Sequence, residues 1–152
     1  MAHHSDSSVQ RDAEHVIREG VAASIGKPLA PATVTFGPDD TALAVDGVAE
    51  DESVLLEVFA HVGKMKGSQK HKVALDAFRL VTLKQSRPDA RLILAFGDQA
   101  AATYALTTGW LAKALQVWGI DVMVVDIPSD LRDRLTATQL DQRDALAGPA
   151  EQ

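Results

Sequence analysis

The sequence contains no cysteine. That excludes disulfide scaffolds, thiolate metal sites and cysteine nucleophiles together. No uninterrupted apolar stretch approaches the roughly 18 residues that a membrane-spanning helix needs. The opening residues, Met1 to Asp12, are polar and show no apolar core of the signal-peptide kind. These absences make the cytoplasm the expected compartment and give no reason to expect a membrane partner. No Gly-rich phosphate loop and no dinucleotide fingerprint occurs. Ser68, Ser86 and Ser129 lack the context of a nucleophile elbow. His15 and His71 have no partner at metal-ligand spacing, so zinc is not expected.

What is present is ordinary in amount. The chain has 152 residues, 46% hydrophobic and 24% charged, which suits one soluble globular domain. Its formal net charge of −6 argues against a nucleic-acid partner only until the charges are placed. Between His61 and Arg91 lie eight basic residues, Lys64, Lys66, Lys70, Lys72, Arg79, Lys84, Arg87 and Arg91, against only Asp76 and Asp89. That segment is +6, which leaves −12 on the remainder. Such a patch attracts phosphate locally on an acidic protein, or it is simply a solvated helix face. Seven acids, Asp39, Asp40, Asp46, Glu50, Asp51, Glu52 and Glu57, fall in 19 residues with no base among them.

Hydrophobic spacing predicts a first helix from about Ser7 to Ile25, with residues 1–7 as a disordered tail. Strands are expected over Ala32–Phe36, Thr41–Val48 and Val54–Val62, the last almost continuously apolar and so buried on both faces. A helix follows over Gln69–Leu83, where Lys72 and Asp76 stand four apart and pair on the side away from the apolar face. Then come a strand over Arg91–Phe96, a helix from Gln99 or Thr103 to Trp118, a strand over Asp121–Ile127 and a last helix over Asp130–Ala145. Residues 147–152 read as a second tail, which leaves one domain over residues 8–146. The predicted fold is α/β, of mixed α+β character: a central mixed sheet of about five strands with helices on both faces, in the order αβββαβαβα. Trp110 and Trp118 stand two helical turns apart on one face, which suggests core or dimer packing, or base stacking if they are exposed.

Two acids stand out. Asp46 follows the apolar run Ala42–Val45 and precedes Gly47, so it either caps a turn or closes a buried strand as a ligand. Glu57 sits in the middle of Val54-Leu55-Leu56-Glu57-Val58-Phe59-Ala60, where a carboxylate is costly unless paired, hydrogen-bonded or metal-bound. On neighbouring antiparallel strands the two meet, and such a pair suits Mg²⁺, a hard ion that keeps several waters.

The order of elements, with Val45-Asp46-Gly47-Val48 and Leu55-Leu56-Glu57-Val58-Phe59-Ala60 ahead of a basic helix beginning near Gln69, resembles the PD-(D/E)XK (restriction-endonuclease-like) nuclease superfamily. The resemblance spans about Ala13 to Ile127. It implies hydrolysis of DNA or RNA phosphodiesters, with DNA ranked ahead of RNA. It implies Mg²⁺ or Mn²⁺ held by Asp46 and Glu57, joined by an acid of the first helix, Glu14 or Glu19. Gln69 would support the site, and Lys64, Lys66 and Lys70 would contact nucleic acid. One position departs from the pattern: the lysine two residues after the strand acid is replaced by Phe59. Either a lysine of the following helix reaches back, Lys72 before Lys64 or Lys66, or the domain binds without cutting. His61 shares the face of Glu57 but lies about 13 Å along an extended strand, which suits a structural or phosphate-contacting role. A homodimer or a purely protein-binding module stays open.

Overall fold

A computed structural model describes residues 2–107 and 109–147, with side chains over 8–107 and 109–142. The elements are α1 (Ala2–Ile25), β1 (Ala30–Phe36), β2 (Thr41–Val48), β3 (Val54–Phe59), α2 (Gly67–Lys84), β4 (Arg91–Phe96), α3 (Gln99–Thr107), α4 (Gly109–Val117), β5 (Ile120–Val124) and α5 (Ser129–Ala147). They form the α/β fold expected: one five-stranded mixed sheet in the order β1-β2-β3-β4-β5. The first three strands are an antiparallel meander, and β4 and β5 join by parallel pairing. The parallel pairs need crossovers, which α2 and the α3–α4 pair supply.

Side-chain alternation divides the core into two layers. Leu55, Phe59, Leu92, Leu94 and Phe96 face one way, with Val73, Leu80 and Leu83 of α2 and Leu111 and Leu115 of α4. Leu56, Val58, Ile93 and Ala95 face the other way, against Ala13, Ile17 and Val21 of α1 and Leu131 and Leu135 of α5. The α1 residues Val9, Ala13, Ile17 and Val21 recur every four positions, and all four are buried. Every residue of β3 is buried, as its continuous apolar run predicts. That burial places Glu57 inside the molecule. No described helix is long and apolar enough to cross a membrane.

Several boundaries differ from the sequence reading. Helix α1 begins at Ala2, and α5 reaches Ala147; Met1 and residues 148–152 of the expected tails lie outside the described residues. Strand β3 ends at Phe59, three residues short of the predicted Val62, where its pairing with β4 ends at Phe96; the chain bends further on, at Gly63, which adopts φ +90°. The helix expected as one piece up to Trp118 is two, since Gly109 sits at φ +59°, a left-handed conformation that a right-handed helix does not continue through. The break precedes both tryptophans, so they stay two turns apart along α4, with the Trp118 N–H bonded to the Ala114 carbonyl at 3.0 Å. Trp110 is 77% exposed at the start of α4 and Trp118, past its end, is 56% exposed, so neither belongs to the core.

One irregularity positions the site. Ala30 pairs with Val48 and Ala32 with Val45, so Pro31 alone faces two residues, Asp46 and Gly47. This is a β-bulge, a device that re-aims side chains. Pro31 suits its place, because it has no N–H to donate and stands on an edge strand. Gly47 lets β2 lie close against β3: a Cβ would sit 2.9 Å from Leu56 Cδ2 and 3.2 Å from Leu56 Cβ.

Candidate functional site

Strands β2 and β3 pair only through Gly47–Leu56 and Val48–Leu55. Continuing that register sets Asp46 opposite Glu57. The ladder stops there, and the Asp46 side chain takes over from the backbone: its Oδ2 accepts the Val58 N–H at 2.8 Å. The Asp46 carbonyl accepts from Arg18 Nη1 of α1 at 3.3 Å. Asp46 is thus both the splint that closes the strand pair and a half-buried carboxylate beside Glu57.

Glu57 lies on the face of β3 that looks toward α2, between Leu55 and Phe59, and is 3% exposed. Its Oε1 makes no hydrogen bond among the described residues, and neither does Nε of Arg79, 3.9 Å away. The arginine is held elsewhere, by donation from Nη2 to the Ala44 carbonyl. Burial, first of all, pushes the Glu57 carboxyl up to about 8; the charges of Asp46 and Asp76 and side-chain contact with Asp46 add to this, while Arg79 opposes it. Near neutral pH Glu57 is therefore largely protonated.

Two further acids complete the cluster. Asp76 of α2 is buried and accepts from Lys72 Nζ at 2.9 Å. Burial raises its pKa, Lys72 lowers it and the Asp46 charge raises it again. Glu14 of α1 is half-buried, and burial followed by the Asp46 charge raises its pKa, against Lys72, Arg18 and Arg11. Four carboxyls from four elements thus share one electrostatic neighbourhood with Lys72 and Arg79. Glu14 and Lys72 also line an adjoining cavity of about 190 Å³, with Phe59, His61, Gln69 and Gln139. Asp46, Glu57 and Asp76 are not among its lining residues. A larger hollow of about 610 Å³, around Thr35, Asp51 and Arg87, lies apart from this chemistry. The Arg87 guanidinium there is already engaged by Glu52, Ser86 and the Thr35 carbonyl.

The sequence-derived residues divide accordingly. Asp46, Glu57, Glu14 and Lys72 come together; Glu19 is exposed and lies outside the cavity lining. Gln69 turns its Oε1 to the Lys66 N–H at 2.7 Å and sets its Nε2 3.0 Å from His61 Nδ1, so it braces the start of α2 and His61 rather than the carboxylates. His61 stands beyond the end of β3, its ring 5.9 Å from that of Phe59. Lys64 and Lys66 flank a groove with Thr136 and Gln139 of α5, whereas Lys70 lies over the Tyr104 ring at 5.0 Å. Three of the eight cations of the basic segment are spent on ion pairs, Lys72 with Asp76, Arg87 with Glu52 and Arg91 with Asp121, and a fourth, Arg79, is held beside Glu57.

Asp76 and Arg79 are the members of the site that sequence reasoning missed. The Lys72–Asp76 spacing was visible, but it points inward: Asp76 shares the buried side of α2 with Val73, Ala77 and Leu80. An acid at helical spacing among core positions was the available signal.

An orphaned buried oxygen on Glu57, with the Asp46 carboxylate beside it, fits a hard divalent cation that needs one or two carboxylates and keeps its waters. Among the described residues, no three His, Asp or Glu side chains converge as a ready-made cage. No protein-family model, no curated protein and no solved structure matches this chain.

Proposed function

We propose that this domain is a metal-dependent phosphodiesterase acting on nucleic acid, of the PD-(D/E)XK kind that its sequence resembles. The observation that carries the reading is the meeting of Asp46 and Glu57 where β2 and β3 part, beside a helix that supplies Lys72. Asp46 and Glu57 would hold Mg²⁺ or Mn²⁺, with Glu14 near enough to assist. When bound, the cation supplies charge neutralisation at a phosphoryl oxygen and acidifies water.

The protein's own groups do the rest. Glu57 must lose its proton to become a ligand, so its raised pKa ties cation binding to pH. Lys72 replaces the lysine that Phe59 displaces. It is a half-exposed ammonium anchored by Asp76 and able to face a phosphate from the cavity it lines. Positioning such a charge where negative charge develops is the largest contribution a protein makes to phosphoryl transfer.

A second reading is favoured by a specific observation. Arg79 already stands 3.9 Å from Glu57 Oε1, and Phe59 occupies the strand lysine position, an arrangement that suits a domain that binds and does not cut. The test incubates purified protein with Mg²⁺ or Mn²⁺ and linear, circular and single-stranded DNA and RNA. Cleavage that Asp46→Asn abolishes supports the enzyme. Salt-sensitive binding without cleavage under either ion supports the second reading. Cleavage that survives Asp46→Asn overturns the site.

A further inference from the structure

On the flank of α2 opposite the carboxylate cluster lies a groove of about 400 Å³, floored by Ala74 and Leu111 and walled by Lys70, His71, Tyr104 and Trp110. Lys70 and Lys72 stand about 200° apart around the helix, so one serves this groove and the other the carboxylates. Three observations bear on what the groove takes. None of its lining residues is acidic. Trp110 offers an indole that is 77% exposed, and Phe78, one turn beyond Ala74, is 68% exposed. Lys70 is already poised over the Tyr104 ring.

Aromatic faces interleaved with ammonium groups match the two repeating features of an unpaired polynucleotide, its bases and its phosphates. A duplex does not fit this pattern, because its bases stack on one another and turn only their edges outward. A second copy of the chain fits less well: a two-fold contact through this groove would bury Lys70 and His71 of both copies with no acid among the lining residues to pair them. The N-terminus of α2 joins this groove to the site. Gly67 and Lys70 line the groove, while Lys66, Ser68 and Gln69 line the hollow next to His61.

We infer that the α2–α4 groove is a track for a single-stranded segment of DNA or RNA, which it grips by stacking on Trp110 and delivers around the start of α2 to the carboxylates. This rests on the nuclease reading above and names its substrate class: nucleic acid with an unpaired arm.

The test uses the full chain in EDTA, so that binding is read without cleavage. Fluorescein-labelled oligo-dT and oligo-U 20-mers and a 20-base-pair duplex are titrated by anisotropy, with quenching of tryptophan fluorescence as a second readout. Both single strands should bind more tightly than the duplex. Trp110→Ala should weaken them about tenfold and Trp110→Phe less, with Trp118→Ala unchanged. Lys70→Ala should reduce the salt slope by about 0.7. Equal affinity for single strand and duplex, indifferent to Trp110, overturns the proposal. So does a concentration-dependent dimer abolished by Trp110→Ala without oligonucleotide binding, which would make the groove a self-association face. Asp46→Asn separates the two readings. Strand binding that keeps its Trp110 dependence in a protein that never cleaves leaves the groove standing while the enzyme falls, and Asp46-dependent cleavage without that dependence does the reverse.

Discussion

The carboxylate of Asp46 accepts the backbone N–H of Val58, at 2.8 Å, at the point where β2 and β3 stop pairing. One side chain therefore serves the architecture and the candidate chemistry at once, and substitutions must be chosen to tell these apart. Asn keeps an acceptor oxygen for Val58 and loses the charge; Ala loses both. Asp46→Ala should destabilise the fold by about 1–3 kcal/mol, through a buried donor left without a partner. Asp46→Asn should cost appreciably less. Urea denaturation of the two variants beside wild type reads the difference, and equal losses would mean that the bond carries no stability.

The raised pKa of Glu57 makes stability fall with pH. Unfolded, the group titrates near its ordinary 4.5; folded, near 8. The protonated form is the one the fold favours, so its contribution is fully present below the unfolded value. It declines as pH climbs through the interval and is gone once pH passes the folded value. The loss is at most on the order of 5 kcal/mol. Glu57→Gln should flatten the difference in urea midpoint between pH 4.5 and 8.5. Saturating Mn²⁺ should flatten it in the wild type and have no such effect on the variant. Parallel pH profiles for the two proteins would contradict the assignment.

Lys72 protects Asp76. With Lys72 half-exposed, the pair itself contributes about 1 kcal/mol or less. The larger effect of Lys72→Ala is to leave a buried carboxylate without its cation, so the pKa of Asp76, already raised by burial, rises further. Since raised acids lose stability with increasing pH, Lys72→Ala should be nearly neutral at pH 4 and clearly destabilising at pH 8. Adding Asp76→Asn should restore most of that stability without restoring any cleavage. Thermal melts at the two pH values check both halves of this expectation.

Gly47 leaves no room for a side chain unless a neighbour shifts. Gly47→Ala puts its Cβ against Leu56, a fully buried residue, so either the strand or the leucine must shift. Overpacking of this kind costs about 1–3 kcal/mol. The shift falls beside Asp46, so cleavage should drop more than the modest loss of stability explains. Activity measured well below the variant's melting temperature, beside Gly26→Ala as a remote control, tests this.

The parts of the fold that the sequence shows are those where local chemistry and final environment agree. Strands β2 and β4 fall where apolar alternation and flanking turns place them, at Thr41–Val48 and Arg91–Phe96. Glu57 could be singled out because a lone acid in a buried run has few explanations. The break at Gly109 was hidden because a glycine inside a helical pattern need not end the helix; only its positive φ decides, and that depends on tertiary packing. The inward turn of Asp76 was hidden because its four-residue spacing to Lys72 suits an exposed pair equally well. Ion pairing of the basic segment was invisible for a third reason. Arg79, Arg87 and Arg91 meet acids from distant parts of the chain, so the local sum of +6 overstated what is left to meet phosphate.

The bulge opposite Pro31 is a phase shift written into β2. Before it, Leu43 and Val45 face the α2 layer; after it Val48 does, an odd count giving way to an even one. Deleting one residue there would restore an unbroken alternation and turn the outer hairpin inside out, exposing Val34, Leu43 and Val45 while sending their polar neighbours inward. The spacing from Thr41 to Val48 is therefore under a constraint of count, independent of which side chains fill it. The β1–β2 hairpin can lengthen or shorten at its tip, around Gly37 to Asp40, but not at its root.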